Sequence, residues 1–315
     1  MKQDDIKYLK PLDFDQSWEI WFQEVKNIPN QVKINSINKT EYGSLVSFYF
    51  DSVQNTKVYA RLYVSDLSLE LNRPLVIFFH GAGGKSSDDY YINKSLYWVK
   101  NGFSVLMMDC RNQGGLTIDS NVYAHMDRTY QSNGITDKNT VYDKLLYQDA
   151  LKLLMLTRDQ KIKLFNQFYD KDIIVTGNSQ GGQMALAVAS LSDVPILCLP
   201  DIPSGCAIVS RIERRLGKYT PYDDLIQKHS ELKDLIYENV SYTDLINLVD
   251  KIKCPVFSSV GTKDEICPME FYLKAHNQIR TEKEVIYYEG YGHGGFDKFH
   301  FPKKMEFVLK HIIPK

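Results

Sequence analysis

The sequence predicts an α/β fold, a mostly parallel central sheet flanked by helices. Short continuous apolar runs recur from Pro74 onward: PLVIFFHG, FSVLMMDC, DIIVTGNSQGG, PILCLPDIP, CPVFSSVGTKDE and EVIYYEGYGHG. Each has the length and composition of a strand buried on both faces. Helical segments such as INKSLYWVKNG and QMALAVASL lie between them. Strands that alternate with helices need crossover connections, and crossovers make neighbouring strands parallel.

The elements follow in chain order. DFDQSWEIWFQEVKNI spaces Trp18, Trp21, Phe22 and Val25 as one helix face does, so an amphipathic helix packed on the main body is expected. SLVSFYFDS and KVYARLYVSD alternate and are rich in Val, Tyr and Phe, which predicts an antiparallel pair turned by DSVQNTK. Residues 113–140 are polar, with Gly114, Gly115, Asn133 and Gly134, and read as a long loop. Residues 204–250 lack a strong strand signal. Stretches such as YDDLIQKHSELKDLIYENV and YTDLINLVDKI make this a helical insertion over the sheet. KFHFPKKMEFVLKHII supplies the last helix. The expected organisation is one domain over residues 1–315, with a helix and strand extension at 1–73 and the insertion at 204–250.

Composition sets outer limits. Of 315 residues, 43% are hydrophobic and 24% charged, the balance of a globular chain rather than a disordered one. Lys and Arg total 38 against 39 Asp and Glu, so a nucleic-acid partner is not expected. No stretch approaches the roughly 20 apolar residues that span a bilayer. MKQDDIKYLKPLDFDQSW has no apolar core of a secretory signal. The 5 cysteines are odd in number and none forms a CxxC pair, against a disulfide framework or a zinc site. A cytoplasmic location is the expectation.

The most informative motif is Gly177-Asn178-Ser179-Gln180-Gly181, between the strand IIVT and the helix QMALAVAS. A serine on so sharp a strand-to-helix turn projects its hydroxyl above the sheet. Flanking glycines relieve the crowding, and the helix N-terminus offers a free N–H. Ser179 is therefore the candidate nucleophile. Its base should come late in the chain, after an acid. Among the five histidines that follow it, His293 in GYGHGG leaves a strand end. His229 and His276 sit in helical patterns and read as surface residues, and His300 and His311 as packing or solvated positions of the last helix. Asp264 in VGTKDEICP is the candidate acid, with Glu265 as the adjacent alternative. Asp201 also leaves a strand end, one strand early for the usual order, and Asp264 could instead cap the helix starting near Pro268.

Acyl transfer needs donors for a developing oxyanion. The main-chain N–H of Gln180 is one, and that of Ala82, in His80-Gly81-Ala82-Gly83-Gly84, is the other. The same glycines do not form a phosphate loop. Phe79 stands where G-x-x-x-x-G-K needs its first glycine, and Ser86 where G-x-G-x-x-G needs its third.

Taken together, HGAGG, DCRNQGG, GNSQGG, GTKDEICP and GYGHGG occur in the order seen in carbohydrate esterase family 7, and the chain resembles that family. The family covers acetyl xylan esterases and cephalosporin C deacetylases. DFDQSW and NGITDKNTVYDKLLYQDALK are similar too, so the resemblance spans nearly the whole chain. It implies an α/β-hydrolase fold and a serine esterase acting on small acetylated carbohydrates or similar acetyl esters. Ser179, Asp264 and His293 would form the triad, and Ala82 and Gln180 the oxyanion hole. Arg111 and Gln113 would be motif residues near the site. No metal or organic cofactor is implied. The family assembles as a hexamer whose sites face an internal cavity, so a homo-oligomer is expected.

Three positions depart from the family pattern. Ala82 stands where tyrosine is usual, Asn112 replaces the glycine of R-G-Q, and Gly294 replaces the glutamate after the histidine. Asn tolerates left-handed backbone, so that turn should persist. Two rivals stand beside the esterase reading. One is another hydrolase of the same fold, a peptidase or longer-acyl esterase. The other is a ligand-binding protein without catalysis.

Overall fold

The computed structural model describes residues 6–68, 70–125 and 129–312. Part of the expected 113–140 loop (126–128), the first five residues and the last residue of the expected final helix lie outside them.

Among the described residues, nine strands form one sheet. They are β1 (Val32–Thr40), β2 (Gly43–Asp51), β3 (Lys57–Ser65), β4 (Leu75–Phe79), β5 (Ser104–Met108), β6 (Ile173–Asn178), β7 (Pro195–Asp201), β8 (Val256–Gly261) and β9 (Lys283–Tyr288). Their order is β1-β2-β3-β5-β4-β6-β7-β8-β9. β1, β2, β3 and β5 pair antiparallel, and the strands from β5 to β9 are parallel. The chain turns one way from β4 to reach β5 and the other way to reach β6. A crevice opens at such a reversal, beyond the carboxyl ends of the strands. The loop after β4 and the turn after β6 both lie there.

The extension contains one strand more than the alternation foretold. β1 pairs with β2 through a bulge between Ile34 and Ser36. The extra residue shifts the side-chain alternation, and most of the strand is open to solvent. Both effects erase the period that marks a strand. Gly43 begins β2 at φ 143, where a β-carbon would stand 1.9 Å from the Val64 carbonyl oxygen. Only glycine fits this close approach.

Helices cover both faces. α1 (Phe14–Asn27) buries Phe14, Trp18, Trp21 and Val25 against α3 (Tyr142–Leu156). Both indoles are satisfied: Trp18 Nε1 donates to the Tyr242 carbonyl at 2.8 Å, and Trp21 Nε1 to Asn139 Oδ1 at 2.9 Å. α3 is buried along nearly its full length, and its polar residues are buried with partners. Asp149 binds Arg111, Asp143 binds Lys218, and Lys152 donates to the Ile28 carbonyl. α4 (Gln180–Leu191) and α8 (Met269–His276) share this face. α2 (Asp89–Lys100) and α9 (Asp297–Ile312) pack on the other. Successive residues of β4 divide accordingly, Leu75, Ile77 and Phe79 facing one core and Val76 and Phe78 the other.

Between β7 and β8 run α5 (Ile208–Glu213), α6 (Thr220–Lys228) and α7 (Lys233–Ser241) with short 3-10 turns. They have their own apolar cluster, including Ile208, Ile212, Tyr222 and Ile236. All five cysteines are buried and free. Among the described residues, no helix is long and apolar enough to cross a membrane.

Candidate active site

The turn from β6 into α4 is built around Ser179, whose backbone adopts φ 58 and ψ −118. Non-glycine residues held there cost about 1–3 kcal/mol, so the surroundings must impose the turn. They do so by contact. A β-carbon on Gly177 would come within 2.5 Å of the Gly181 carbonyl carbon and the Phe79 oxygen. On Gly181 it would meet the Phe79 oxygen at 2.0 Å. The two glycines of the motif thus let β4 and α4 close on each other. The Ser179 N–H donates to the Asp201 carbonyl at 2.9 Å.

His293 and Asp264 arrive from the loops after β9 and β8. His293 Nε2 lies 2.9 Å from Ser179 Oγ, and its Nδ1 lies 2.7 Å from Asp264 Oδ2. The other oxygen of Asp264 accepts the N–H groups of Ile266 at 2.9 Å and Cys267 at 2.8 Å. With the carboxylate accepting at Nδ1, the proton sits on Nδ1, and Nε2 faces the serine hydroxyl as an acceptor. The Asp264 side chain is 1% exposed and that of His293 22%, so solvent reaches only the imidazole end. Burial alone would raise the Asp264 carboxyl. The hydrogen bonds from His293 and the two N–H groups outweigh it and hold the group below the usual range. Burial also opposes protonation of His293, yet Asp264 and the nearby Cys267 sulfur push it up to about 9. Glu265, the alternative acid, points into solvent.

The remaining acids and histidines have other partners. Asp201 binds Lys304 at 2.5 Å and His300 at 2.8 Å, beneath the site. Asp264 does not cap α8, because its acceptors serve the turn that precedes Pro268. His229 is a surface residue, whereas His276 is buried against Tyr272, contrary to the expected exposure. Burial lowers its pKa to about 4.

The glycine loop after β4 lies beside the elbow. Gly81 N donates to the Tyr91 hydroxyl at 2.8 Å and Gly83 N to Gln113 Oε1 at 2.8 Å. The N–H of Ala82, between them, makes no hydrogen bond among the described residues, and neither does that of Gln180. Gln113 also binds the Gln180 side chain at 3.1 Å and Tyr142 at 2.8 Å, tying together the two loops that carry these N–H groups. Arg111 anchors the segment. It is fully buried, with Nε and Nη2 each 2.7 Å from an oxygen of Asp149 and Nη1 3.1 Å from Asp119. Asn112 has φ 57, the left-handed backbone expected where glycine is usual. Gly294 has φ 116, a conformation that residues with a β-carbon rarely adopt.

Tyr91 and Tyr142 brace the site, and the sequence pattern marks neither. Each lies in a helix at ordinary apolar spacing, and nothing local marks its hydroxyl. His80 also has a supporting part: its Nε2 accepts the Cys110 N–H at 3.0 Å, and burial lowers its pKa.

A serine on a strained strand-to-helix turn, an imidazole and a buried carboxylate in line, and a crevice at the sheet reversal describe the α/β-hydrolase fold. The model of the acetyl xylan esterase (AXE1) family matches residues 3–311, and the chain belongs to that family. It is 23% identical over 281 residues to acetyl esterase Axe7A of Xylanibacter ruminicola, covering 88% of this chain. The chain spans 62% of that relative's length. An acetyl xylan esterase from Paenibacillus sp. R4 superposes with a TM-score of 0.86 and 26% identity, covering 98% of both chains. Acetyl xylan esterase 1 from Thermoanaerobacterium sp. JW/SL YS485 shares the fold at a TM-score of 0.86 and 23% identity, over 99% of this chain and 98% of that one.

Proposed function

We propose that the protein is a serine esterase that removes acetyl groups from small acetylated carbohydrates or similar acetyl esters. The observation that carries this reading is the unbroken line from Ser179 Oγ through His293 to Asp264, beside two main-chain N–H groups that no described residue engages. Ser179 attacks the acetyl carbonyl while His293 Nε2 takes its proton. Asp264 keeps the imidazole in the tautomer that can accept that proton, and stabilises the imidazolium. The N–H groups of Gln180 and Ala82 hold the oxyanion of the tetrahedral intermediate. His293 then protonates the departing sugar oxygen, leaving acetyl-Ser179. Water, activated by His293, attacks the acetyl-enzyme and releases acetate.

Family membership supports acetyl as the acyl group, as do relatives named acetyl esterase and acetyl xylan esterase. Ala82 is exposed and offers no bulky side chain beside the acyl position, so the acyl pocket is shaped by other residues. Assembly into a homo-oligomer is part of the same proposal, and light scattering tests it. The activity is tested with p-nitrophenyl esters of increasing chain length, acetylated xylo-oligosaccharides and cephalosporin C. Acetate should be preferred over butyrate, and Ser179→Ala should abolish turnover while the fold persists. A preference for long acyl chains, or activity that survives in the variant, contradicts the proposal.

A further inference from the structure

Arg211 on α5 is a buried cation with no carboxylate partner among the described residues. Its side chain is 1% exposed, and among the described residues no carboxylate stands within ion-pair distance and Nε has no hydrogen-bond partner. A buried charge normally pairs, because leaving it uncompensated is costly. Two aromatic faces help, Tyr219 at 5.0 Å and Phe271 at 6.0 Å, but neither carries charge. The nearby carboxylate, Asp244, is occupied. It accepts the N–H groups of Ala207, Ile208 and Ile246, and burial pushes its carboxyl up to about 6.

What Arg211 does reach is the turn that holds the candidate acid. Its Nη2 donates to the Ile266 carbonyl at 2.8 Å and lies 3.5 Å from Cys267 Sγ. The N–H groups of the same two residues hold Asp264 Oδ1. The groups facing the sulfur are Arg211 on α5, Lys218 and Cys206 elsewhere in the insertion, His293 after β9, and Asp264 on its own turn. Lys218 already has Asp143 at 2.6 Å.

We propose that the Cys267 thiolate is the counter-charge of Arg211, and that the pair is a positioning device for the acid and the base. Arg211 clamps the 266–267 turn and so fixes Asp264. The thiolate, beside His293, favours the imidazolium that forms in catalysis. Ionisation releases the thiol proton to solvent and makes or breaks no other bond. Burial would keep this thiol neutral, but the Arg211 and His293 charges bring it down to about 7. Burial drives Cys110, Cys198 and Cys206 well above their ordinary range, and Cys254 up to about 12. The second half of the proposal rests on His293 being the base.

The test is a titration of thiolate absorbance in the full chain between about pH 5 and pH 9. One thiolate per chain should appear, with a midpoint near neutrality. The step should be present in Ser179→Ala, which separates it from the esterase reading, and absent in Cys267→Ser or Cys267→Ala. It should be kept by Arg211→Lys and moved up by about one pH unit or more in Arg211→Met. In Cys267→Ser the acid limb of kcat/KM for p-nitrophenyl acetate should move down by about one pH unit, since a negative charge beside His293 is gone. A wild-type chain with no thiolate step in this range overturns the proposal whether or not the variants fold. So does a Cys267→Ser enzyme that loses rate with its acid limb unmoved.

Discussion

Replacing Asp264 by asparagine separates geometry from charge. The carboxylate accepts three hydrogen bonds, two N–H groups at Oδ1 and His293 Nδ1 at Oδ2. An asparagine has one oxygen. If that oxygen takes the place of Oδ1, the turn to Cys267 keeps both bonds and the fold survives. The amide nitrogen then stands 2.7 Å from Nδ1, where only an acceptor satisfies it. Nδ1 must give up its proton, and the remaining proton moves to Nε2, facing Ser179 Oγ. A protonated Nε2 cannot accept the serine proton. The reverse orientation aims the amide at two N–H donors and loses the turn. A wrong-tautomer histidine costs about 10⁴ in kcat, about 5.4 kcal/mol of transition-state stabilisation. Steady-state hydrolysis of p-nitrophenyl acetate near neutral pH measures the loss, and circular dichroism checks the fold. A folded Asp264→Asn enzyme that loses less than about tenfold would refute the assignment of Asp264 as the group that fixes the tautomer.

Other expectations follow from the same contacts. His293 must be neutral to act as a base, so kcat/KM should rise with pH through its pKa. That pKa is raised from 6.5 to about 9, so the acid limb should be centred above 6.5, and one below 6.5 would contradict the electrostatics described. Gly181→Ala puts a β-carbon 2.0 Å from the Phe79 oxygen, a backbone atom that cannot swing away. It should destabilise by about 1–3 kcal/mol in denaturant titrations and cut turnover about a hundredfold by displacing the elbow. Lys304→Met strips the buried Asp201 of the ammonium 2.5 Å away. It should cost about 3 kcal/mol in the same titrations, and a loss under about 1 kcal/mol would show that His300 and Lys94 balance Asp201 without it.

The parallel core was legible because each of its strands is a short apolar run between helix signals, as Leu75–Phe79 and Ile173–Asn178 illustrate. The order of strands was not, because nothing local encodes that β4 sits between β5 and β6. β1 was hidden by its bulge and its exposure. The three residues now in line were legible for a different reason. Each follows an apolar run by a turn, and a strand end is where an α/β sheet presents chemistry. His276 misled because helical spacing tells which residues share a face, not whether a helix end turns inward. Arg211 and Tyr142 carried no signal: Arg211 is 55 residues from the Ile266 carbonyl it reaches, and Tyr142 lies 29 from the Gln113 amide. Asn112 shows the opposite case, where the known tolerance of one residue type for left-handed backbone foretold its φ of 57.

The proposed chemistry depends above all on Ser179 being an activated nucleophile. Labelling with a fluorophosphonate, followed by mass spectrometry of the digested protein, tests it directly. One adduct per chain is expected, on the peptide containing Ser179, and none in Ser179→Ala. An unlabelled wild-type chain, or an adduct on another residue that persists in the variant, would contradict it.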